Sequence, residues 1–232
     1  MRFEKLVADA LGVTRKEAKA VIKEGQCAVG GKVVTDPGAN ISETDELYIF
    51  GKRVSYEKYI YIMMNKPGGV ISATEDKRQK TVLDLLPENY KRYDLFPVGR
   101  LDIDTEGILL ITNDGKSAHS LLAPSKKVPK EYFVRLSLPL SDSDIKTVEQ
   151  GVDIGGYVTA PACITPLSSH ECTIKITEGK FHQVKRMFEA VGNKVVFLKR
   201  TSFAALTLDP GLPPGSFRRL SQAEVDIILS LK

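Results

Sequence analysis

The sequence predicts an α+β protein whose main sheet is largely antiparallel. Apolar runs of strand length outnumber the helical patterns, and the two seldom alternate as regularly as they would in a parallel α/β fold. The first fifty or so residues differ from the rest, because two helical patterns there precede a group of short strands. We therefore expect a small amino-terminal domain (1–51), a polar linker (52–58) and a larger domain (59–232).

The amino-terminal domain is predicted to begin with two helices. Apolar residues at positions 3, 6, 7, 10 and 11 follow a helical period. Thr14 and Glu17 then have the spacing of a capping box, in which the Thr side chain accepts from a backbone N–H and the Glu reaches back. The second helix ends near Gly25, and short strands follow at 27–34 and 46–50.

The larger domain combines strand-length apolar runs with shorter helical patterns. Ser221 and Glu224 form another capping-box pattern, and Gly192 is suited to end the helix that begins near Phe181. Strands are predicted at 59–64, 108–112, 131–138, 172–177, 194–199 and 205–208, and helices at 82–86, 117–122, 141–150, 181–191 and 222–231.

Positive charge is concentrated in two stretches of a chain that carries a net charge of only +4. Residues 175–200 contain seven Lys and Arg against two acids, and residues 116–135 contain five against one. Such clusters on a mildly charged chain suggest a local phosphate-binding face, and solvated surface lysines are the alternative.

The remaining composition bears on compartment and metal binding. The three cysteines lie far apart and have no zinc-ligand spacing, which indicates a reducing compartment and no metal site. No apolar run approaches membrane length, and the start lacks the layout of a signal peptide. We expect a cytoplasmic protein that does not associate with membranes.

The segment from Gly99 to Gly107 is the most informative in the chain. Three acids, Asp102, Asp104 and Glu106, lie close to Arg100, and a glycine stands at each end. The apolar run at 108–111 predicts a buried strand directly afterwards. A strand that anchors the segment and glycines that let it bend can hold a carboxylate at a fixed place beside a cation.

Three common motifs resemble this region and fail on spacing. An EF-hand needs Glu at the twelfth position, which is Asn113 here. A phosphatase of the haloacid-dehalogenase type needs an unbroken strand before Asp102, where Pro97 and Gly99 occur instead. A P-loop needs Gly five residues before Gly115, and that position is Leu110.

A fourth comparison covers nearly the whole chain. The segment 99–107 resembles the signature of the RsuA/RluB/RluE/RluF branch of RNA pseudouridine synthases. Further stretches resemble the family's other motifs in the expected order: Asn-Lys-Pro-Gly-Gly-Val at 65–70, Lys-Glu-Tyr-Phe-Val at 130–134, and the final signature at 178–187.

The resemblance implies roles for four residues. Asp102 would be the catalytic carboxylate, Lys185 the cation placed against it, Tyr132 the ring that stacks on the target base, and Arg100 the side chain that fills the space left by the flipped uridine. The reaction is an isomerisation, so no cofactor is expected. From the residues alone, Asp104 remains a rival for Asp102; the resemblance leaves Asp104 a structural role, binding turn amides.

The resemblance also implies the RNA contacts. The amino-terminal domain resembles the S4 RNA-binding module, whose second helix would present Arg15, Lys16 and Lys19 to phosphates. Lys180 and Arg186 are the corresponding candidates in the carboxy-terminal cluster. The RsuA type, which acts on 16S rRNA, is the expected class. The alternatives are a 23S rRNA enzyme and a non-catalytic RNA-binding protein, and we expect a monomer in each case.

Overall fold

The computed structural model describes residues 1–42, 45–54 and 57–231 of the chain, which forms two compact units. The first comprises Met1–Ile60 together with Pro87–Asp94, and the second comprises Tyr61–Leu86 and Leu95–Lys232. The return of Pro87–Asp94 to the first unit was not predicted, because only tertiary contacts define it.

The first unit places two helices against a four-stranded antiparallel sheet. The sheet order is β2-β1-β3-β4, and a 3₁₀ helix at Glu88–Tyr93 belongs to the same unit. The elements are α1 (Phe3–Leu11), α2 (Arg15–Lys23), β1 (Cys27–Val29), β2 (Lys32–Val33), β3 (Leu47–Ile49) and β4 (Lys52–Val54).

Local sequence explains how the two helices form. Helix α1 buries Phe3, Leu6 and Val7 on one face and ends at Gly12, whose left-handed φ of 69° suits glycine. The capping box predicted for α2 is confirmed: the Thr14 hydroxyl accepts from the Glu17 amide at 3.3 Å, and the Thr14 amide donates to the Glu17 carboxylate at 2.8 Å.

Two details of the first unit differ from the predictions. The stretch 27–34 is a hairpin rather than one strand, because Gly30 and Gly31 both adopt positive φ and turn the chain. The linker predicted at 52–58 is wrong at its start: β4 pairs with β3, with Leu47 opposite Val54. Positions 55 and 56 of that linker lie outside the described residues.

The second unit is built on a nine-stranded sheet in the order β13-β5-β7-β11-β8-β10-β9, with β6 beside β7 and β12 beside β11. Only the β7–β11 pair is parallel among these pairings, which confirms an α+β fold with a mainly antiparallel sheet. The strands are β5 (Tyr61–Lys66), β6 (Phe96–Pro97), β7 (Glu106–Thr112), β8 (Lys130–Leu136), β9 (Cys163–Pro166), β10 (Glu171–Ile176), β11 (Val195–Phe203), β12 (Leu206–Thr207) and β13 (Phe217–Arg219).

The helices of this unit are short. They are α3 (Gly115–Leu122), α4 (Asp142–Gln150), α5 (Gln183–Glu189) and α6 (Gln222–Ser230), with 3₁₀ turns at Leu83–Leu85 and Pro124–Lys126. The helix predicted at 82–86 is therefore only a 3₁₀ turn. The capping box at Ser221 and Glu224 is confirmed, and a further one at Ser141 and Asp144 was not predicted. No helix in the described part of the chain is long and apolar enough to cross a membrane.

The alternation of side chains along β5 and β7 gives the sheet two buried faces. Ile108 and Leu110 of β7 belong to a core that includes Ala118 and Leu121 of α3 and Ile228 of α6. Leu109 alternates with them and therefore points to the opposite face, where it is also fully buried. Strand β7 is thus covered on both sides, which makes it a firm anchor for the segment that precedes it.

Gly107 allows β11 to lie beside the first residues of β7. It pairs with Arg200 and has a φ of +105°, and a Cβ at this position would overlap the Arg200 carbonyl oxygen. The close approach explains why the acidic segment ends in glycine.

Candidate active site

The acidic segment forms a compact loop that enters β7. The Thr105 amide donates to the Asp102 carbonyl oxygen at 3.1 Å, which closes a turn over Asp102–Thr105. Ser72 fixes the start of the loop, because its hydroxyl donates to the Leu101 carbonyl oxygen and accepts from the Leu101 amide, each at 3.0 Å. The position of Asp102 is therefore set by the backbone on both sides.

A buried lysine fixes the loop from beneath. Lys66 is fully buried at the end of β5, and its ammonium donates to the carbonyl oxygens of Pro67, Ile103 and Thr105 at 3.0, 3.3 and 2.8 Å. Burial lowers the pKa of Lys66 to about 8, while the charges of Asp104, Asp102 and Glu106 oppose that shift. The lysine remains largely protonated at neutral pH and can use all three N–H groups.

A second lysine holds the carboxylates from the other side. The Lys185 ammonium, on α5, is 3.0 Å from Asp102 Oδ2 and 2.6 Å from Asp104 Oδ1. The structure therefore brings Lys185 and Asp102 together, which is the arrangement that the resemblance implied. Asp104 was expected to bind turn amides, but the main partner of its carboxylate is Lys185.

The contacts between Lys185 and the carboxylates shift the pKa values of Lys185 and Asp104 towards the charged forms. Burial alone would lower the pKa of Lys185, but its hydrogen bonds to Asp104 and Asp102 raise that pKa above its usual value. Burial likewise favours a higher pKa for Asp104, and the hydrogen bond and charge of Lys185 reverse this, so the pKa falls. The site therefore contains a cation in contact with two carboxylates.

Asp102 is the more enclosed of the two carboxylates. Its side chain is 26% exposed, against 68% for Asp104. An enclosed carboxylate has fewer water molecules to compete with a substrate, and its electrostatic interactions are stronger. Asp102 and Asp104 thus differ in exposure, a difference that their spacing in the sequence does not reveal.

His182, whose place at a predicted helix start indicated no catalytic role, is a neighbour of Asp102. Its Nε2 atom is 3.6 Å from Asp102 Oδ1, and its backbone has a left-handed φ of 51° just before α5. The sequence predicted a helix from Phe181, in which His182 and Lys185 would share one side, but in the structure His182 precedes α5. The left-handed φ of His182 was not predictable.

Tyr132 lies in the same cross-strand row as Gly107, near the start of β7. It is buried in β8 opposite Arg200 of β11, and Arg200 in turn lies opposite Gly107. Two strand spacings separate its backbone from that of Gly107, roughly 10 Å. Tyr132 is therefore two strands away from the residue at which the acidic loop enters β7.

Two cations flank Tyr132: Arg200 is buried and Lys130 is half-buried. Arg200 donates from Nε to the Ile108 carbonyl oxygen at 2.9 Å, and Lys130 donates to the Val128 carbonyl oxygen at 3.0 Å. Burial, with a contribution from the charge of Arg200, lowers the pKa of Lys130 to about 8. This part of the sheet is consequently positive.

The other predicted RNA-binding residues occupy varied environments. Arg100 is exposed and forms no ion pair among the residues that the structure describes. In the first unit, Arg15 and Lys16 are exposed on α2, while Lys19 pairs with Glu4 at 3.2 Å. In the second unit, Lys180 is exposed, with its ammonium 4.1 Å from the centre of the Tyr157 ring, and Arg186 is half-buried.

Comparison with known proteins identifies the family of this site. The family described as RNA pseudouridylate synthase matches residues 60–190, which include Asp102, Tyr132 and Lys185, and the S4 domain family matches residues 1–47. The chain belongs to the RNA pseudouridine synthase family. It is accordingly an isomerase that acts on RNA, with an S4 domain before its catalytic domain.

Individual relatives are similar over their full length. An uncharacterized RNA pseudouridine synthase of Bacillus subtilis (strain 168) is 50% identical over 98% of both chains. The ribosomal small subunit pseudouridine synthase A of Vibrio cholerae is 40% identical over 97% of this chain and 98% of its own. A solved structure titled "Crystal structure of pseudouridylate synthase" has a TM-score of 0.69 and 32% identity over 98% of this chain and 99% of its own.

Replacing Lys66 by Met tests how the loop is supported. The variant leaves three carbonyl oxygens without their buried donor, so we expect the free energy of unfolding to fall by roughly 3 kcal/mol. Urea denaturation measures this change, and Lys77→Met, at an exposed lysine of the same unit, is the matched control, expected within about 0.5 kcal/mol of the wild type. Equal stability of the two variants would contradict the role given to Lys66.

Proposed function

We propose that this enzyme converts a specific uridine of 16S rRNA into pseudouridine, with Asp102 as the carboxylate that drives the reaction. The observation that carries the proposal is the contact of Asp102 with Lys185 at 3.0 Å, in a loop that Lys66 binds from beneath. This arrangement holds an anion at a fixed place before any substrate arrives.

The reaction requires such an anion but does not consume a second reactant. The bond between uracil N1 and ribose C1′ breaks, the base turns, and a bond between C5 and C1′ forms. The proton leaves C5, N1 carries a hydrogen in the product, and the atoms balance without an added group. Asp102 acts at the sugar, either as a nucleophile on carbon or as a base that takes a proton.

The neighbouring residues support this step in distinct ways. Lys185 stabilises the charge of the Asp102 carboxylate, and Tyr132 stacks on the uracil ring when the nucleotide is flipped out of the RNA. Arg100, which is exposed, occupies the space that the uridine leaves. Each of these roles is a proposal that follows from position and chemical type.

The proposal assigns RNA binding to both units. In the first unit, with residues 1–51 as the module, Arg15, Lys16 and Lys19 contact phosphates, although Lys19 must share its charge with Glu4. In the second unit, Lys180 and Arg186 belong to the basic stretch 175–200. We further propose that the enzyme acts as a monomer in the cytoplasm.

The names of relatives favour the small-subunit substrate over the large-subunit one. The small subunit synthase A of Vibrio cholerae is 40% identical to the chain, and the ribosomal large subunit pseudouridine synthase B of Bacillus subtilis is 37% identical. The margin is narrow, so 23S rRNA is the second candidate, and the substrate requires a direct experiment.

The first experiment replaces each carboxylate in turn. Asp102→Asn preserves shape and removes the charge, so we expect kcat to fall by about 1,000-fold or more while the affinity for RNA changes little. Asp104→Asn is the matched control, because Asp104 touches the same lysine from a more exposed position. Pseudouridine formation by the two purified variants would be measured; an active Asp102 variant beside an inactive, folded Asp104 variant would move the role to Asp104.

The second experiment identifies the substrate. Purified enzyme is incubated separately with 16S and 23S rRNA transcripts, and pseudouridine is mapped by chemical modification. We expect one modified uridine in 16S rRNA and little reaction on a short oligonucleotide of the same local sequence, since two RNA-binding units need a larger folded target. Modification confined to 23S rRNA would refute the proposed substrate and leave the enzyme class intact.

A further inference from the structure

Phe181 presents its ring to solvent beside the candidate active site. It is 75% exposed, the largest value among the large hydrophobic side chains that the structure describes. A single exposed apolar residue needs no special explanation. This ring, however, does not project freely: it stacks on the imidazole of His182, with ring centres 3.8 Å apart and planes inclined by 19°.

The backbone that carries the stack is held by buried polar contacts. Gln183 is buried, donates to Glu178 Oε1 at 2.7 Å and accepts from the Lys180 amide at 2.8 Å. His182, between Phe181 and Gln183, has the left-handed φ of 51°, a conformation that costs free energy in a residue other than glycine. The protein's own contacts thus hold the pair of rings, which lowers the entropic cost of binding a ligand there.

The stack leads directly to the proposed catalytic carboxylate. His182 Nε2 is 3.6 Å from Asp102 Oδ1, and Phe181, which stacks on the same imidazole, is largely exposed. A nucleotide that stacks on Phe181 would therefore lie close to the one whose sugar meets Asp102.

A second aromatic residue and a cation accompany the stack. The Lys180 ammonium is 4.1 Å from the centre of the Tyr157 ring, and the Tyr157 hydroxyl donates to Glu178 Oε2 at 2.8 Å. Tyr157 is 40% exposed. Aromatic faces interleaved with exposed positive charge are the combination that binds single-stranded nucleic acid, in which bases stack and phosphates pair with cations.

We propose that the Phe181–His182 stack is a platform for an unpaired base of the RNA substrate, from a nucleotide next to the target uridine, and that Lys180 contacts the adjoining phosphate. The position next to the target rests on the proposed role of Asp102; the stacking itself rests only on the geometry of the rings. Because every base has a π-face, the platform tolerates any base and requires that it be unpaired.

Zero-length ultraviolet cross-linking tests the contact directly. Wild-type protein is irradiated with a 16S rRNA transcript and, separately, with a 23S rRNA transcript, digested, and the nucleotide adducts are located by mass spectrometry. We expect an adduct on Phe181. In parallel, equilibrium binding of the same transcripts is measured for Phe181→Leu, which keeps an apolar side chain without a ring, and for Phe181→Trp, which keeps a ring.

The expected Kd values distinguish stacking on an aromatic ring from contact with any apolar side chain. Phe181→Leu should raise Kd by about ten-fold and Phe181→Trp should restore binding to within about two-fold of the wild type. Leu167→Ala, at a 56% exposed apolar position of the same unit, is the matched control and should leave Kd unchanged. Absence of the adduct on both transcripts, or equal Kd for the Leu and Trp variants, overturns the proposal.

Neither readout depends on catalysis. If the enzyme forms no pseudouridine in 16S rRNA but the adduct appears and Phe181→Leu weakens binding, the platform stands and the proposed substrate fails. If pseudouridine forms in 16S rRNA and neither effect is seen, the platform fails and the proposed function stands.

Discussion

The structure around Asp102 depends on one buried ammonium group. Lys66 has no exposed surface, yet it donates to three carbonyl oxygens, two of which belong to the loop that carries the acids. A buried charge is tolerated only where hydrogen bonds replace its lost hydration, so the loop and the lysine stabilise each other. Because β5 and β7 are adjacent, Lys66 at the end of β5 lies beside the loop that leads into β7.

Lys185 completes the arrangement by contacting the two carboxylates of the loop. Lys66 binds the carbonyl oxygens of the loop and so holds its backbone in position. Lys185 instead binds the carboxylates of the loop and so balances their negative charge. The protein's own contacts hold both lysines, and a preorganised site does not have to reorganise its charges during the reaction. His182 and Phe181 extend the same surface from the carboxylate towards solvent.

The sequence predicted the parts of this account that local pattern determines. The acidic segment between Gly99 and Gly107, the strand after it and the cap at Thr14 are all encoded within a few residues. The bonds of Lys66 to positions 103 and 105, the return of Pro87–Asp94 to the first unit and the pairing of β4 are contacts between distant or tertiary partners. Single-sequence periodicity contains no information on such contacts, and the left-handed backbone of His182 has no sequence signal of its own.

The central claim is that the ammonium group of Lys185, held at a fixed position, allows Asp102 to catalyse pseudouridine formation. The most direct measurement is kcat for pseudouridine formation by Lys185→Gln and Lys185→Arg, with folding checked by circular dichroism. The account predicts a loss of about 100-fold for the Gln variant, which removes the charge, and a loss of less than about ten-fold for the Arg variant, which keeps it. Equal activity of the two variants, at either level, would contradict it.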